Sequence, residues 1–223
     1  MSNHERLLAA TATERETLLG LSFIQDGARG HLSLGDYVAF LCQAYHHVKH
    51  TLPLLMACGA RLPERMEWLR EAMSEYIEEE TGHQEWILND IHACGFDAEA
   101  VRKETPSIEV ELMVAYAYDL IHRRNPVAFL GMVLVLEGTS VRVATQAAEA
   151  LTQSLGLPRK AFTYLNSHGS LDQEHVVFFE SLVNRLDEQD LPAVIHAAKV
   201  FYQLYGNIFR ALDARRISHK EAA

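Results

Sequence analysis

The sequence has few cysteines, a deficit of basic charge and no long apolar run, and each of these narrows what the chain can be. Cys42, Cys58 and Cys94 are odd in number and widely spaced, so they match neither a disulfide framework nor a zinc cluster and read as reduced thiols of a cytoplasmic protein. Twenty basic residues against thirty acidic ones give a formal charge of -10. That balance argues against nucleic acid or an anionic membrane as the main partner, though not against a small charged substrate. Met1 to Thr17 is polar and charged, and no uninterrupted stretch of about 18 apolar residues occurs, so neither export nor a membrane span is expected. No segment alternates polar and apolar residues for long enough to be a strand. Phosphate-cradling glycine loops, linkers, internal repeats and low-complexity segments are absent too.

What is present is helical spacing in a chain of 223 residues, 48% of them apolar, enough to bury a sizeable core. His4 to Leu21 predicts a first helix, with Leu7, Leu8, Thr11 and Leu18 on its apolar side. A turn follows around Gly27 and Gly30. Ser33 begins a second helix whose apolar side carries Tyr37, Phe40, Leu41, Ala44, Tyr45 and Val48; Pro53 interrupts it before it resumes towards Gly59. Pro63 opens a third that can run to Ala93, where Gly95 stops it. Ser107 to Arg123 makes a fourth, broken at Asn125-Pro126, and Pro126 starts a fifth that ends near Gly156. Pro158 begins another helical segment and Leu191-Pro192 the last, with a frayed tail from about 215 to 223. The reading is an all-α chain, a single domain over 1–223 with seven or eight helices.

Three helices carry polar groups where apolar ones belong. On the segment before Leu186, steps of four and three place His168, Asp172, His175, Phe179, Leu182 and Leu186 on one stripe. An unpaired buried carboxylate costs several kcal/mol, so Asp172 needs a partner, and neighbouring imidazoles suit a metal ion. On the third helix, Leu69, Met73, Tyr76, Glu80, His83, Ile87 and Asp90 share a stripe, and a Glu three residues before a His is the arrangement that carboxylate-bridged iron sites in bundles use. On the fifth, Glu137 follows Leu130 and Val133 and is the only acidic residue between Asp119 and Glu149. Bland readings compete: Glu78-Glu79-Glu80 is a charge run of the kind that marks a solvated face, Glu137 has Arg142 as a possible mate, and Asp172 can serve a helix start. Glu79, one position away, is an alternative to Glu80. Jointly, Glu80, His83, Glu137, His168, Asp172 and His175 offer three carboxylates and three imidazoles without a thiolate, a set that suits one or two Fe(II) ions, although zinc or manganese accepts similar ligands. Tyr45, His46, His47, Lys49 and His50 form a second polar concentration, read first as a partly exposed helix face. Alternatively, Tyr45 and His46 line a substrate pocket and Lys49 or Arg142 holds a substrate carboxylate. Gly131 and Gly138 read as places where helices approach closely.

The segment Ile24 to Leu55, with Gly30-His31-Leu32-Ser33, Tyr37, Phe40-Leu41, Gln43, Tyr45 and Val48, resembles the start of the haem-oxygenase-like superfamily, which includes the TenA thiaminases and PqqC. Glu79-Glu80-Thr81-Gly82-His83, Glu137 and His168-x3-Asp172-x2-His175 resemble the metal-binding pattern of its iron-dependent branch, the haem-oxygenase-like diiron oxidases. The resemblance implies a compact helical bundle, often a homodimer, whose core iron uses molecular oxygen as co-substrate to oxidise a small molecule. In that reading the substrate lies between the second and fifth helices, with Tyr45 and Tyr76 as catalytic partners and His46, Lys49 and Arg142 at the substrate. Two departures stand out. Many members carry a ligand Glu seven residues before the third-helix His, where this chain has Tyr76, and the fifth helix lacks the nucleophilic Cys of the thiaminase branch. A metal-free cofactor-biosynthesis enzyme and a noncatalytic binding protein are the competing expectations.

Overall fold

The computed structural model describes residues 1–221, the side chains of 168–174 and 219–221 excepted. Among the described residues there are twelve α-helices and no strand. In order they are α1 (Asn3–Ala10), α2 (Ala12–Leu19), α3 (Ser22–Ala28), α4 (Leu34–Val48), α5 (Thr51–Arg61), α6 (Glu67–Glu80), α7 (His83–Ala93), α8 (Ala98–Lys103), α9 (Ile108–Asp119), α10 (Leu130–Leu155), α11 (Thr163–Asn184) and α12 (Leu191–Glu221). Short tight turns of helix at Glu64–Met66, Pro126–Phe129 and Arg159–Ala161, and a wider one at Leu120–Arg124, join some of them.

The all-α expectation holds, whereas the count of seven or eight helices falls short because several expected helices are broken. The first divides at Thr11, whose hydroxyl donates to the Leu7 carbonyl at 2.8 Å as the backbone leaves helical geometry. The second ends at Val48; after Lys49 and His50 the chain restarts as α5, with Pro53 in its first turn, where the missing N–H breaks no helical bond. The third divides at Thr81-Gly82, and Gly82 takes φ +95°, a left-handed conformation that suits glycine. The short helices α3 and α8, of seven and six residues, hold too few turns to display a period. Elsewhere the local chemistry decides as expected. Ser33 and Asp36 form a reciprocal cap that starts α4, and Gly156 at φ +63° ends α10.

α10 is the axis of the fold and packs along α11, α12 and α3. By length and hydropathy, Pro126–Leu155 would pass for a membrane span, contrary to the expectation drawn from uninterrupted runs, yet most of it is buried within the fold. Contact with α12 is closest at Gly131, where an added Cβ would lie 2.6 Å from the Ala198 nitrogen. Gly138 differs, since nothing but its own helix's Leu134 lies within 4.0 Å of such a Cβ, so the close approach read there does not occur. Around this axis α4 packs on α7, α5 on α6, and α9 on α12. Asp90, fully buried on α7, accepts the N–H groups of Thr163 at 3.0 Å and Tyr164 at 2.8 Å and so caps the start of α11 from another helix.

Candidate functional site

The break at Gly82 positions the first pair of candidate ligands. α6 ends at Glu80 and α7 begins at His83, so the two are not successive positions of one helix, a correction to the sequence reading. The turn nevertheless closes them: Glu80 Oε2 lies 2.9 Å from His83 Nδ1, with both side chains largely buried. The His83 ring stacks on Trp86 at a centroid distance of 4.0 Å, which fixes its plane.

Across from this turn, α11 contributes His175, 4% exposed. Its Nε2 is 2.8 Å from Glu79 Oε2 and its Nδ1 is 3.7 Å from Glu137 Oε1 on α10. Glu137 is well covered, Glu79 half-exposed. The buried Tyr76 ring, one turn before Glu79 and Glu80, meets His175 edge-on at 5.8 Å and packs on Phe178. Two groupings therefore form, Glu80 with His83 and His175 with Glu79 and Glu137. The other two expected ligands, His168 and Asp172, lie outside the described side chains.

The cluster faces a cavity of about 670 Å³, including space open to solvent, walled by α4, α5, α6, α10, α11 and α12. Glu80, Glu137 and Tyr76 line it together with His47, Thr51 and Leu55. His47 and not His46 reaches this cavity; sequence reasoning left His47 in a presumed exposed face, whereas it is 4% exposed and its ring meets Tyr205 at 5.8 Å. Tyr164 and Tyr205, also missed, line the wall as well. Their apolar, regularly spaced neighbours gave no signal of a site.

The remaining candidates stand apart. Tyr45, His46 and Lys49 form their own cluster at the end of α4 and do not line this cavity. Lys49 Nζ lies 3.2 Å from His46 Nδ1 and 5.4 Å above the Tyr45 ring. Burial, aided by Lys49 and His50, lowers the His46 pKa to about 4, leaving the imidazole neutral at pH 7. Arg142 is exposed and lines a separate cavity of about 600 Å³ with Arg15, Tyr202 and the far side of Glu137.

The donor chemistry suits iron better than a thiolate metal. Carboxylate oxygens and imidazole nitrogens are hard to borderline ligands, and the buried Cys58 thiol faces the Pro126 carbonyl, with burial raising its pKa to about 12. The 3.7 Å between His175 Nδ1 and Glu137 is too long for a hydrogen bond but within the span of two donors each about 2.0–2.2 Å from one cation. No three His, Cys, Asp or Glu side chains converge on a point among the described residues.

Comparison with solved structures shows the fold. A domain of unknown function with a haem oxygenase-like fold from Shewanella denitrificans superposes with a TM-score of 0.86 at 22% identity, covering 98% of this chain and 95% of that one. A TenA homologue from Pseudomonas syringae gives 0.81 at 12% identity, with 94% and 92% covered. Haem oxygenase-1 from the cyanobacterium Synechocystis, in complex with haem, gives 0.76 at 11% identity, with 100% and 97% covered. No curated protein matches the sequence. A family model described as an iron-containing redox enzyme matches residues 38–206, and with well over half of its length so matched the chain belongs to that iron-containing redox enzyme family.

Proposed function

We propose that the protein is a nonhaem Fe(II) oxidase that uses molecular oxygen to oxidise a small organic molecule. The observation that carries the reading is the meeting of Glu80 with His83, and of Glu79 and Glu137 with His175, in oxygen and nitrogen donors at the edge of one cavity. Glu80, His83, Glu137 and His175 would hold the metal, with His168 and Asp172 as further ligands; whether one ion or two are held, the donor types are the same. When bound, ferrous iron supplies the electrons that activate oxygen.

The chain's own groups have separate tasks. Glu79 accepts the Nε2 proton of His175 at 2.8 Å, which sets the tautomer and leaves Nδ1 on the Glu137 side as the ligand atom. Glu79 is thereby an orienting group, and of the two adjacent acids Glu80 is the ligand. Trp86 and Tyr76 hold the two imidazole rings in place. Leu55, Phe129, Met132 and Val133 give the cavity apolar walls that exclude water from the substrate. The substrate, taken by the protein as a homodimer in the cytoplasm, enters between α4 and α10.

Anaerobic titration with ferrous iron tests this. We expect at least one ion per chain, and less than a tenth of that in His83→Ala and Glu137→Gln proteins that melt as the wild type does. Stoichiometry near zero in the wild type, undiminished binding in both variants, or uptake of iron only as haem would each overturn the reading.

A further inference from the structure

The cavity of about 600 Å³ that holds Arg142 lies between α10 and the helices α1, α2, α11 and α12, and like the one at the acids it includes space open to solvent. Glu137 lines both cavities and is the partition between them. Beside it Gly138 carries no side chain, and an added Cβ there would meet nothing nearer than Leu134 of its own helix, at 4.0 Å, so the glycine leaves room in the cavity. Leu8, Leu134 and Phe179 give it apolar walls, and its polar lining comes mainly from Arg15, Arg142 and Tyr202.

The acids around this cavity are turned to other groups. Glu14 lies 3.1 Å from Lys199, Glu180 lies 3.7 Å from His4, and Glu137 faces His175, so it is not the mate of Arg142 that the sequence allowed. Among the described residues neither Arg15 nor Arg142 is in an ion pair. Arg15 is nevertheless held in place: its Nη1 donates to the Leu8 carbonyl at 3.2 Å, and the group also donates to the Tyr202 hydroxyl. Burial raises the Tyr202 pKa against the opposing pull of Arg15 and Arg142, so the side chain, 3% exposed, stays a phenol. Having accepted from Arg15, its hydroxyl keeps a proton to donate. Two guanidinium groups against the single carboxylate of Glu137 leave one positive charge in excess, which suits a monoanion better than a phosphate dianion. Guanidinium forks in turn match the planar pair of oxygens of a carboxylate.

We infer that this cavity is a second binding site, for a small organic carboxylate: Arg15, Arg142 and the Tyr202 hydroxyl hold its anionic end, and its apolar body lies beside Gly138 against Leu134 and Phe179. The inference does not draw on the oxidase reading, and the protein is titrated both with and without ferrous iron. Isothermal titration with 3-phenylpropanoate is expected to show one site per chain. Binding should be at least about tenfold weaker for 3-phenylpropanamide, which keeps the shape without the charge, and for acetate, which keeps the charge without the body. Affinity should fall as salt is added, because Arg142 is exposed. Arg142→Gln should lose about tenfold or more, and Gly138→Leu, which fills the cavity while improving helix propensity, should abolish binding without lowering the melting temperature. Arg159→Gln, at an exposed arginine in the turn before α11, should bind as the wild type does. Equal affinity for acid and amide, wild-type affinity in folded Arg142→Gln and Gly138→Leu, or an equal loss in Arg159→Gln overturns the site. Binding that requires iron would put the carboxylate at the metal and overturn it too, and tighter binding of phenyl phosphate than of the carboxylate overturns the class of ligand.

Discussion

Replacing Asp90 by asparagine probes how α11, which brings His175 to the site, is held at its start. The Asp90 carboxylate is fully buried and receives two backbone N–H groups, from Thr163 and Tyr164. Burial raises its pKa from 3.8 to about 6, with the two N–H donors opposing the rise. Because the folded value lies above the unfolded one, the fold holds the proton more tightly than the unfolded chain does. The associated stability is complete below the unfolded pKa and is lost as pH rises through the folded one. A gap of roughly two pKa units at about 1.4 kcal/mol each makes the loss about 3 kcal/mol between about pH 4 and about pH 7. Asparagine has nearly the same shape, keeps one acceptor and does not titrate; it forfeits one charge-assisted bond, about 1–2 kcal/mol. Urea unfolding of both proteins across that range checks this, since other groups cancel in the difference. Wild-type stability relative to Asp90→Asn should fall by about 3 kcal/mol as pH rises. Parallel profiles, or a wild type that gains on the variant with rising pH, would show that the N–H bonds outweigh burial and refute the reasoning.

Three further substitutions follow from the geometry. Gly82→Ala places a side chain at φ +95° with no steric neighbour, so its loss of about 1–2 kcal/mol is conformational, and iron stoichiometry should fall with it because the turn sets Glu80 on His83; Gly82→Asn should recover part of both. Gly131→Ala drives a methyl into the α12 backbone and should cost about 1–3 kcal/mol in chemical unfolding, with an unaltered midpoint refuting the close approach. Gly138→Ala meets only open space and should instead raise stability, by up to about 1 kcal/mol of helix propensity.

The stripes of the fifth helix and of the second were legible because burial follows the helical period. Val133, Glu137 and Ser140 line the cavity at the acids, and Ser140 and Ala144 line a second cavity beside it. The polar members of such a stripe stand out against their apolar neighbours, which is why Glu80, His83, Glu137 and His175 were singled out. What the period hides is where a helix stops. Glu80 and His83 fit a continuous helix as well as they fit a broken one, since three residues return nearly to the same face either way. The extended backbone of Thr81 and the positive φ of Gly82 distinguish the two, and glycine is also tolerated within helices, at a cost of about 1 kcal/mol. His46 and His47 present the opposite difficulty. Both are buried, so composition and period cannot say which one meets the cavity; the choice depends on how α4 is rotated against α10 and α12.

Charge gives the site its physical coherence. Among the described residues, Glu79, Glu80 and Glu137 bring three carboxylates to two imidazoles, His83 and His175. Beside it are the apolar walls of the cavity, which solvate an anion poorly. A hydrogen-bond network built only for stability would be expected to balance its charges or to use amides. On the oxidase reading a divalent cation would offset these carboxylates, and Glu137 and His175, 3.7 Å apart and beyond hydrogen-bond range, would be among the residues that hold it.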